Sequence, residues 1–248
     1  NNYIEIDSEI WPLNKCQGYA WRNFAKGSFT FTGTPYTSDQ SISTTADQAN
    51  GWNLVGNPYP SSIDWNILDG TYGTAYTFSD NGVNDGWGQY NNGAVVNNGP
   101  RYLAPMQGFF ISTVSAGSFT VTNAARTHEG ATGYVKSIAD LDQYVKLEVI
   151  ANDKRAETFI QMGNGFEEGF DKLYDGWKMA IEDQPFLHLY SKTIDGNLSI
   201  NRLPDTESVQ LGFMFSQNTS ARINIMETAG FDLLKLEDTK LQTFHNLM

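Results

Sequence analysis

Apolar side chains recur at every second position through most of this chain, and that period decides the class of structure it can form. In QYVKLEVI, Val145, Leu147 and Val149 fall on one face while Tyr144, Lys146 and Glu148 fall on the other. A strand sends successive side chains to opposite faces of its sheet, so the pattern specifies a half-buried antiparallel strand. SVQLGFMF repeats it with Val209, Leu211, Phe213 and Phe215. ARINIME places Ile223 and Ile225 inward with Arg222 and Asn224 outward, and NLSINRL groups Leu198 with Ile200. Loops containing Gly, Asn, Asp or Pro separate these runs at intervals of about 8 to 12 residues, the spacing of an immunoglobulin-sized sandwich.

The first half is also β but less regular, with longer loops rich in Asn, Gly, Ser and Thr. Strands are expected at GYAWRNF, GSFTFTG, WNLVG, TAYTF, WGQY, GFFIST and GSFTVTN. GSFTFTG and GSFTVTN are nearly identical, but a repeated unit would carry similarity further, so they read as two strands with similar surroundings. Charged residues make up only 18% and aromatics 13% of the chain, a mix that suits strands and tight turns better than helix surfaces. The expectation is an all-β chain of two consecutive antiparallel β-sandwiches. A jelly-roll-like one covers residues 1–134, and an immunoglobulin-like one, lacking its last strand, covers 135–248. The boundary falls in RTHEGATGYVKSIADLD, where the aromatic-rich pattern stops.

Between a strand-like run and a helix-start signal lies GWNLVGNPYPSSIDWN, residues 51–66. Each proline forces the residue before it, Asn57 or Tyr59, into extended geometry, and ladder hydrogen bonding ends there. Ser61 with Asp64 three residues later resembles a capping box, opening a short helical turn in which Ile63 and Trp65 pack inward. Tyr59–Pro60 is a candidate cis bond. The stretch reads as a rigid corner pinned by aromatic packing, in preference to a ligand loop.

These residues also carry a resemblance. GWNLVGNPYPSSIDW, followed by Pro105-Met106-Gln107-Gly108-Phe109-Phe110, resembles a paired signature of large secreted proteins of Bacteroidota, the substrates of the type IX secretion system. Gly18-Tyr19-Ala20, Phe31-Thr32-Gly33, Asn123-Ala124-Ala125-Arg126, DKLYDGWK from Asp171 to Lys178, and Leu236-Glu237-Asp238 match further pieces in order. The resemblance implies a structural signature formed by Trp52, Asn57, Pro58, Tyr59, Pro60, Asp64, Trp65, Gln107 and Gly108. It also implies a setting in adhesins, surface proteins or non-catalytic parts of secreted hydrolases, usually ahead of a C-terminal sorting domain.

Chemistry is harder to find. His128, His188 and His245 lie far apart and form no zinc-binding spacing. His188 alternates with Leu187 and Leu189 and reads as a solvent-facing or satisfied strand residue. No nucleophile elbow, P-loop or dinucleotide fingerprint occurs. Cys16 has no recognisable partner motif, and a lone cysteine rules out an internal disulfide framework. In the loop SDNGVNDGWGQYNNG, Asp80, Asn84 and Asp85 are candidate calcium ligands, although their spacing departs from the EF-hand pattern. Trp87, Tyr90 and Trp177 are candidate stacking residues for a sugar ring. The sequons at Asn197 and Asn218 carry little meaning in a bacterial protein.

A net charge of −12 repels a phosphate backbone, which argues against nucleic acid as a partner. No apolar run approaches the ~18 residues of a membrane span. The chain begins at NNYIEI without an initiator Met or leader pattern, so it reads as a segment of a longer secreted or cell-surface protein. The favoured function is a non-catalytic structural or adhesive module, with no cofactor apart from the candidate calcium. Its partners are the other domains of the same chain, with a glycan or surface protein as candidates. A carbohydrate-binding module attached to a secreted hydrolase is the alternative, and a glycan hydrolase the second alternative.

Overall fold

The computed structural model describes residues 13–20, 32–46, 51–78, 86–129, 141–179, 187–217 and 219–248, and these form an all-β sandwich fold. In the first half the strands are β1 (Gln40–Thr44), β2 (Trp52–Gly56), β3 (Ser62–Asp64), β4 (Ala75–Phe78), β5 (Trp87–Asn91), β6 (Ala94–Val96), β7 (Tyr102–Leu103), β8 (Gly108–Ser112), β9 (Gly117–Val121) and β10 (Arg126–Thr127). A five-stranded sheet runs β2-β8-β4-β5-β6, beside the pair β1-β9 and the small sheet β10-β3-β7. All their pairings are antiparallel. Val55, Phe109, Ile111 and Tyr90 of the large sheet meet Phe119 and Val121 of β9 in one core, with Tyr59, Ile63 and Trp65 of the corner among them.

Five of the seven strands expected here lie where alternation placed them: β2, β4, β5, β8 and β9. GSFTFTG lies largely, and GYAWRNF in its second part, outside the described residues. The hairpin between β5 and β6 turns on Asn92-Gly93, both at positive φ (40° and 85°). That is the geometry a two-residue loop needs to match strand twist, and Asn-Gly adopts it with little strain.

The corner differs in detail from its expected form. Tyr59–Pro60 is trans, since no cis peptide bond occurs among the described residues. The helix cap is Asp64, not Ser61. Its carboxylate accepts the Asn66 N–H (3.1 Å) to start a 3-10 turn over Trp65–Ile67, followed by the one-turn helix α1 (Asp69–Tyr72). Ser62 and Ile63 are already in a strand, so a cap at Ser61 would come too early. Ile63 and Trp65 do pack inward, both fully buried.

In the second half the strands are β11 (Gln143–Ala151), β12 (Lys154–Met162), β13 (Gly176–Trp177), β14 (His188–Lys192), β15 (Asn197–Leu203), β16 (Leu211–Met214), β17 (Arg222–Ala229), β18 (Lys235–Asp238) and β19 (Thr243–Asn246). The order is β16-β14-β15-β12-β11-β17, with β13 also on β15 and the hairpin β18-β19 apart. One pairing is parallel, β12 with β15, and departs from the antiparallel expectation. Val145, Leu147, Val149 and Ile160 form a core with Leu187 and Leu189, and Leu234 and Leu247 at the ends of the hairpin pack on it.

Three residues fall elsewhere than alternation placed them. Phe213, expected inward, is 54% exposed, because β16 is the edge strand of its sheet. Tyr144 and Lys146, expected outward, are buried. The face of β11 that carries them is covered by the first half of the chain: Ala94 and Val96 of β6 pack with Tyr144, Phe159 and Ile200 in a third cluster.

Candidate functional site

The signature stretch is built from the backbone outward. Asn57 is buried, and its amide nitrogen donates to the carbonyls of Ser61 (2.8 Å), Ala104 (2.9 Å) and Leu103 (3.3 Å). Its amide oxygen accepts the Tyr59 N–H at 3.0 Å, and its own N–H goes to the Gln107 carbonyl at 3.0 Å. Buried amides and carbonyls need such partners, and proline leaves this turn short of donors. The Tyr59 hydroxyl donates to Val121 O (2.8 Å) and Ser38 O (3.0 Å), and Arg126 lies over its ring at 5.2 Å. Pro58 is buried behind it, and Pro60 faces solvent.

Trp65 donates its indole N–H to Gly73 O (2.8 Å) and meets Phe109 edge to face at 5.2 Å. Asp64 takes a forked contact from Arg101, Nε at 2.8 Å and Nη2 at 2.7 Å, which holds the guanidinium firmly in its protonated form. Gln107 accepts the Ala104 N–H through its side chain (2.8 Å), closing the turn before β8. Gly108 pairs with Gly56 in the β2–β8 ladder, and a Cβ there would meet the Gly18 backbone at ordinary van der Waals distance. Trp52 meets Tyr76 and Phe110 edge to face at 4.8 and 6.5 Å.

The candidate ligand residues do not converge. Trp87 is half-buried on the outer face of the five-stranded sheet, edge to face with Phe78 (5.1 Å, 62°) and Phe110 (5.5 Å, 77°). With Trp52 these rings form an aromatic row whose planes cross, whereas a sugar ring stacks on an open flat face. Tyr90 lies on the opposite face, buried, its hydroxyl donating to Asn66 Oδ1 at 2.6 Å. Trp177 is half-buried and stacked on Phe170 (3.9 Å, 19°), which covers one of its faces. Asp80, Asn84 and Asp85 lie outside the described residues. Among the described residues no group of three His, Cys, Asp or Glu is placed to hold a metal. His128 and His245 are exposed, and His188 is buried in β14. Burial pushes the Cys16 thiol up to about 11, so it stays protonated at neutral pH.

The densest polar cluster lies where the two halves meet, around Arg202. Its side chain is buried, and every bond it makes goes to a neutral oxygen. Nε donates to Gln161 Oε1 (2.7 Å), Nη1 to Tyr174 O (2.6 Å) and Asn91 Oδ1 (3.3 Å), and Nη2 to the carbonyls of Asn91 (3.0 Å) and Asn92 (3.2 Å). The segment 171–177 is tied in around it. Thr74 Oγ1 donates to Asp175 O (2.7 Å), Asn91 Nδ2 to Leu173 O (3.0 Å), Gln89 Nε2 to Trp177 O (3.0 Å), and Trp177 N to the Tyr76 hydroxyl (2.8 Å). The fully buried Asp175 carboxylate accepts the main-chain N–H of Arg202 (2.6 Å) and of Asp171 (2.7 Å).

Burial dominates these charges. It pushes the Asp175 carboxyl up to about 7, against the N–H groups and the guanidinium that favour its anion. Asp69, whose carboxylate accepts the Asn92 N–H (3.0 Å), is raised for the same reason. Arg202 is brought down to about 10 by burial, with Asp175 and Asp69 holding it up. A buried ion pair ties the halves separately: Lys146 Nζ lies 2.9 Å from Glu157, whose carboxylate also accepts the Asn97 N–H at 2.7 Å.

Arg202, Asn91 and Gln161 were not singled out by sequence reasoning, yet one signal was present. Arg202 continues the inward register of Leu198 and Ile200 in β15, and a cation at an inward position implies a buried set of partners. The arrangement binds main chain to main chain through side chains drawn from both halves. Comparison with family models, with curated proteins and with solved structures finds no match to this chain.

Proposed function

We propose that this chain is a non-catalytic structural or adhesive module of a large secreted or cell-surface bacterial protein, of the kind its signatures resemble among type IX secretion substrates of Bacteroidota. One observation carries this reading: the functional groups of the signature end on the protein's own backbone. Asn57, Tyr59, Trp65 and Gln107 each spend their polar atoms on main-chain carbonyls or N–H groups, and Asp64 on a main-chain N–H and Arg101. Side chains used in this way brace a fold and are not available to a substrate. The partners of such a module are the neighbouring domains of its own chain, and loops or strand edges supply any adhesive contact.

A carbohydrate-binding module is the second reading, favoured by the half-exposed Trp87 beside Phe78, which is 52% exposed. A glycan-array screen of the purified chain, with and without calcium, separates the two. The structural reading expects silence in both conditions. Reproducible binding that Trp87→Ala abolishes would replace it with the carbohydrate module.

A further inference from the structure

Asn-Gly pairs at 92–93, 98–99 and 164–165 lie wholly among the described residues, and the fold treats them differently. In such a pair the main-chain nitrogen of the glycine can attack the side-chain amide carbon of the asparagine, because no Cβ on the glycine hinders the approach. The attack needs a nitrogen that is not engaged elsewhere and an asparagine that can turn its side chain back along the main chain. We propose that Asn164 is a site of spontaneous deamidation, and that the fold holds Asn92 and Asn98 inert.

Asn92 and Asn98 are locked in place. Asn92 has φ of 40°, its N–H donates to Asp69 (3.0 Å), its carbonyl accepts from Arg202 (3.2 Å), and the Gly93 N–H donates to the Tyr90 hydroxyl (3.3 Å). Asn98 has φ of 59°, and the Gly99 N–H donates to Val96 O at 3.0 Å in a turn so closely packed that a Cβ on Gly99 would overlap the Gln89 backbone. Either glycine must break these bonds before it can attack. Asn164 and Gly165 instead form an exposed turn just after β12, and Asn164 does not share the positive φ of the other two. The Gly165 N–H has no hydrogen-bond partner among the described residues, and nothing lies within 4 Å of the place a Cβ would take on it. The anchors of this loop lie outside the pair, in Gly163 N–H on Leu203 O (3.1 Å) and Phe170 N–H on Asp195 (2.8 Å).

The reaction consumes water and releases ammonia. The Gly165 nitrogen gives its proton to solvent and bonds to Asn164 Cγ, the Cγ–Nδ2 bond breaks, and the nitrogen leaves as ammonia after taking a proton from solvent. Water then opens the cyclic imide at either carbonyl, leaving aspartate or its isoaspartyl isomer. Both products place a new carboxylate in a loop that already carries Glu167 and Glu168, and the isomer adds a methylene to the main chain that leads into the 171–177 segment.

Incubation of the folded chain at mildly alkaline pH, followed by digestion at mildly acidic pH and mass spectrometry with each site located by fragmentation, tests this. Asn164 is expected to gain about 1 Da at a rate at least roughly tenfold above Asn92 or Asn98. In the chain unfolded by guanidinium the three rates should converge, because the locks on Asn92 and Asn98 are then gone. No conversion at Asn164 in the folded chain, or conversion at Asn92 or Asn98 as fast as at Asn164, would overturn the proposal. A preference for Asn164 that persisted unchanged in the unfolded chain would also refute it, since local sequence and not the fold would then set the order.

Discussion

Met106 shows how much this fold asks of single residues. It occupies a turn closed by the Gln107 N–H on Ala104 O, is 43% exposed, and has φ of +59°. A side chain with a Cβ is strained there, whereas glycine is not. Met106→Gly should therefore stabilise the chain by about 0.5–1 kcal/mol, the strain relief exceeding the added freedom of the unfolded chain, and a higher urea midpoint at unchanged m-value would show it. Asn57 behaves in the opposite way. Asn57→Ala strands three carbonyls and one N–H and should cost at least about 2 kcal/mol. Asn57→Asp keeps the shape but sets a carboxyl against three carbonyls. Burial and those carbonyls raise its pKa in the folded state, so the variant should lose further stability as pH rises from 5 to 8, where Asn57→Ala stays level. Equal urea midpoints for Asn57→Asp at the two pH values would contradict this account.

Among the elements, alternation located most strands but spoke for only one face of each. It identified the inward sets of β11, β15 and β17 because an apolar core lies on that side. It could not foresee that the opposite face of β11 is covered too, since Tyr144 and Lys146 look the same in sequence whether water or β6 lies over them. The parallel pairing of β12 with β15 was illegible for a related reason: register between distant strands leaves no trace in local period. The corner was readable because proline and aromatic chemistry is local. The Arg202 cluster was not, because its partners come from β5, β12 and the 171–177 segment. Lys146 and Glu157 put this to a test. With side chains only 8% and 12% exposed, Lys146→Met leaves a carboxylate buried without its cation and should cost about 3–5 kcal/mol. Adding Glu157→Gln removes the orphan charge while keeping an acceptor for Asn97 N–H, so the double variant should recover much of that loss. A double-mutant cycle by chemical denaturation that came out additive would rule out the coupling.

At the scale of the whole molecule, the question is whether the two halves unfold together. They share an apolar patch of Ala94, Val96, Phe159 and Ile200, polar ties through Arg202, and further hydrogen bonds through Thr74, Tyr76, Gln89 and Glu157. Arg202→Met keeps an apolar stem but removes the guanidinium, whose carbon lies 5.9 Å from the centre of the Phe159 ring, and with it the donors that join Asn91 and Asn92 to Gln161 and Tyr174. It also leaves Asp175 and Asp69 buried without the cation that helps to hold their anions. Both carboxyls should then shift further upward, because the one attractive charge is gone and burial remains. The sign follows directly. Acids raised in the folded state are released on unfolding, so stability falls with rising pH, and the penalty of Arg202→Met should be larger at pH 8 than at pH 5.5. Calorimetry of the wild type is expected to give one cooperative transition, and the variant at pH 8 two, with the sheet β2-β8-β4-β5-β6 and the strands around β11 and β12 melting apart. A single transition in the variant, displaced equally at both pH values, would mean that the apolar patch alone couples the halves. The polar cluster would then position the 171–177 segment without setting the cooperativity of the fold.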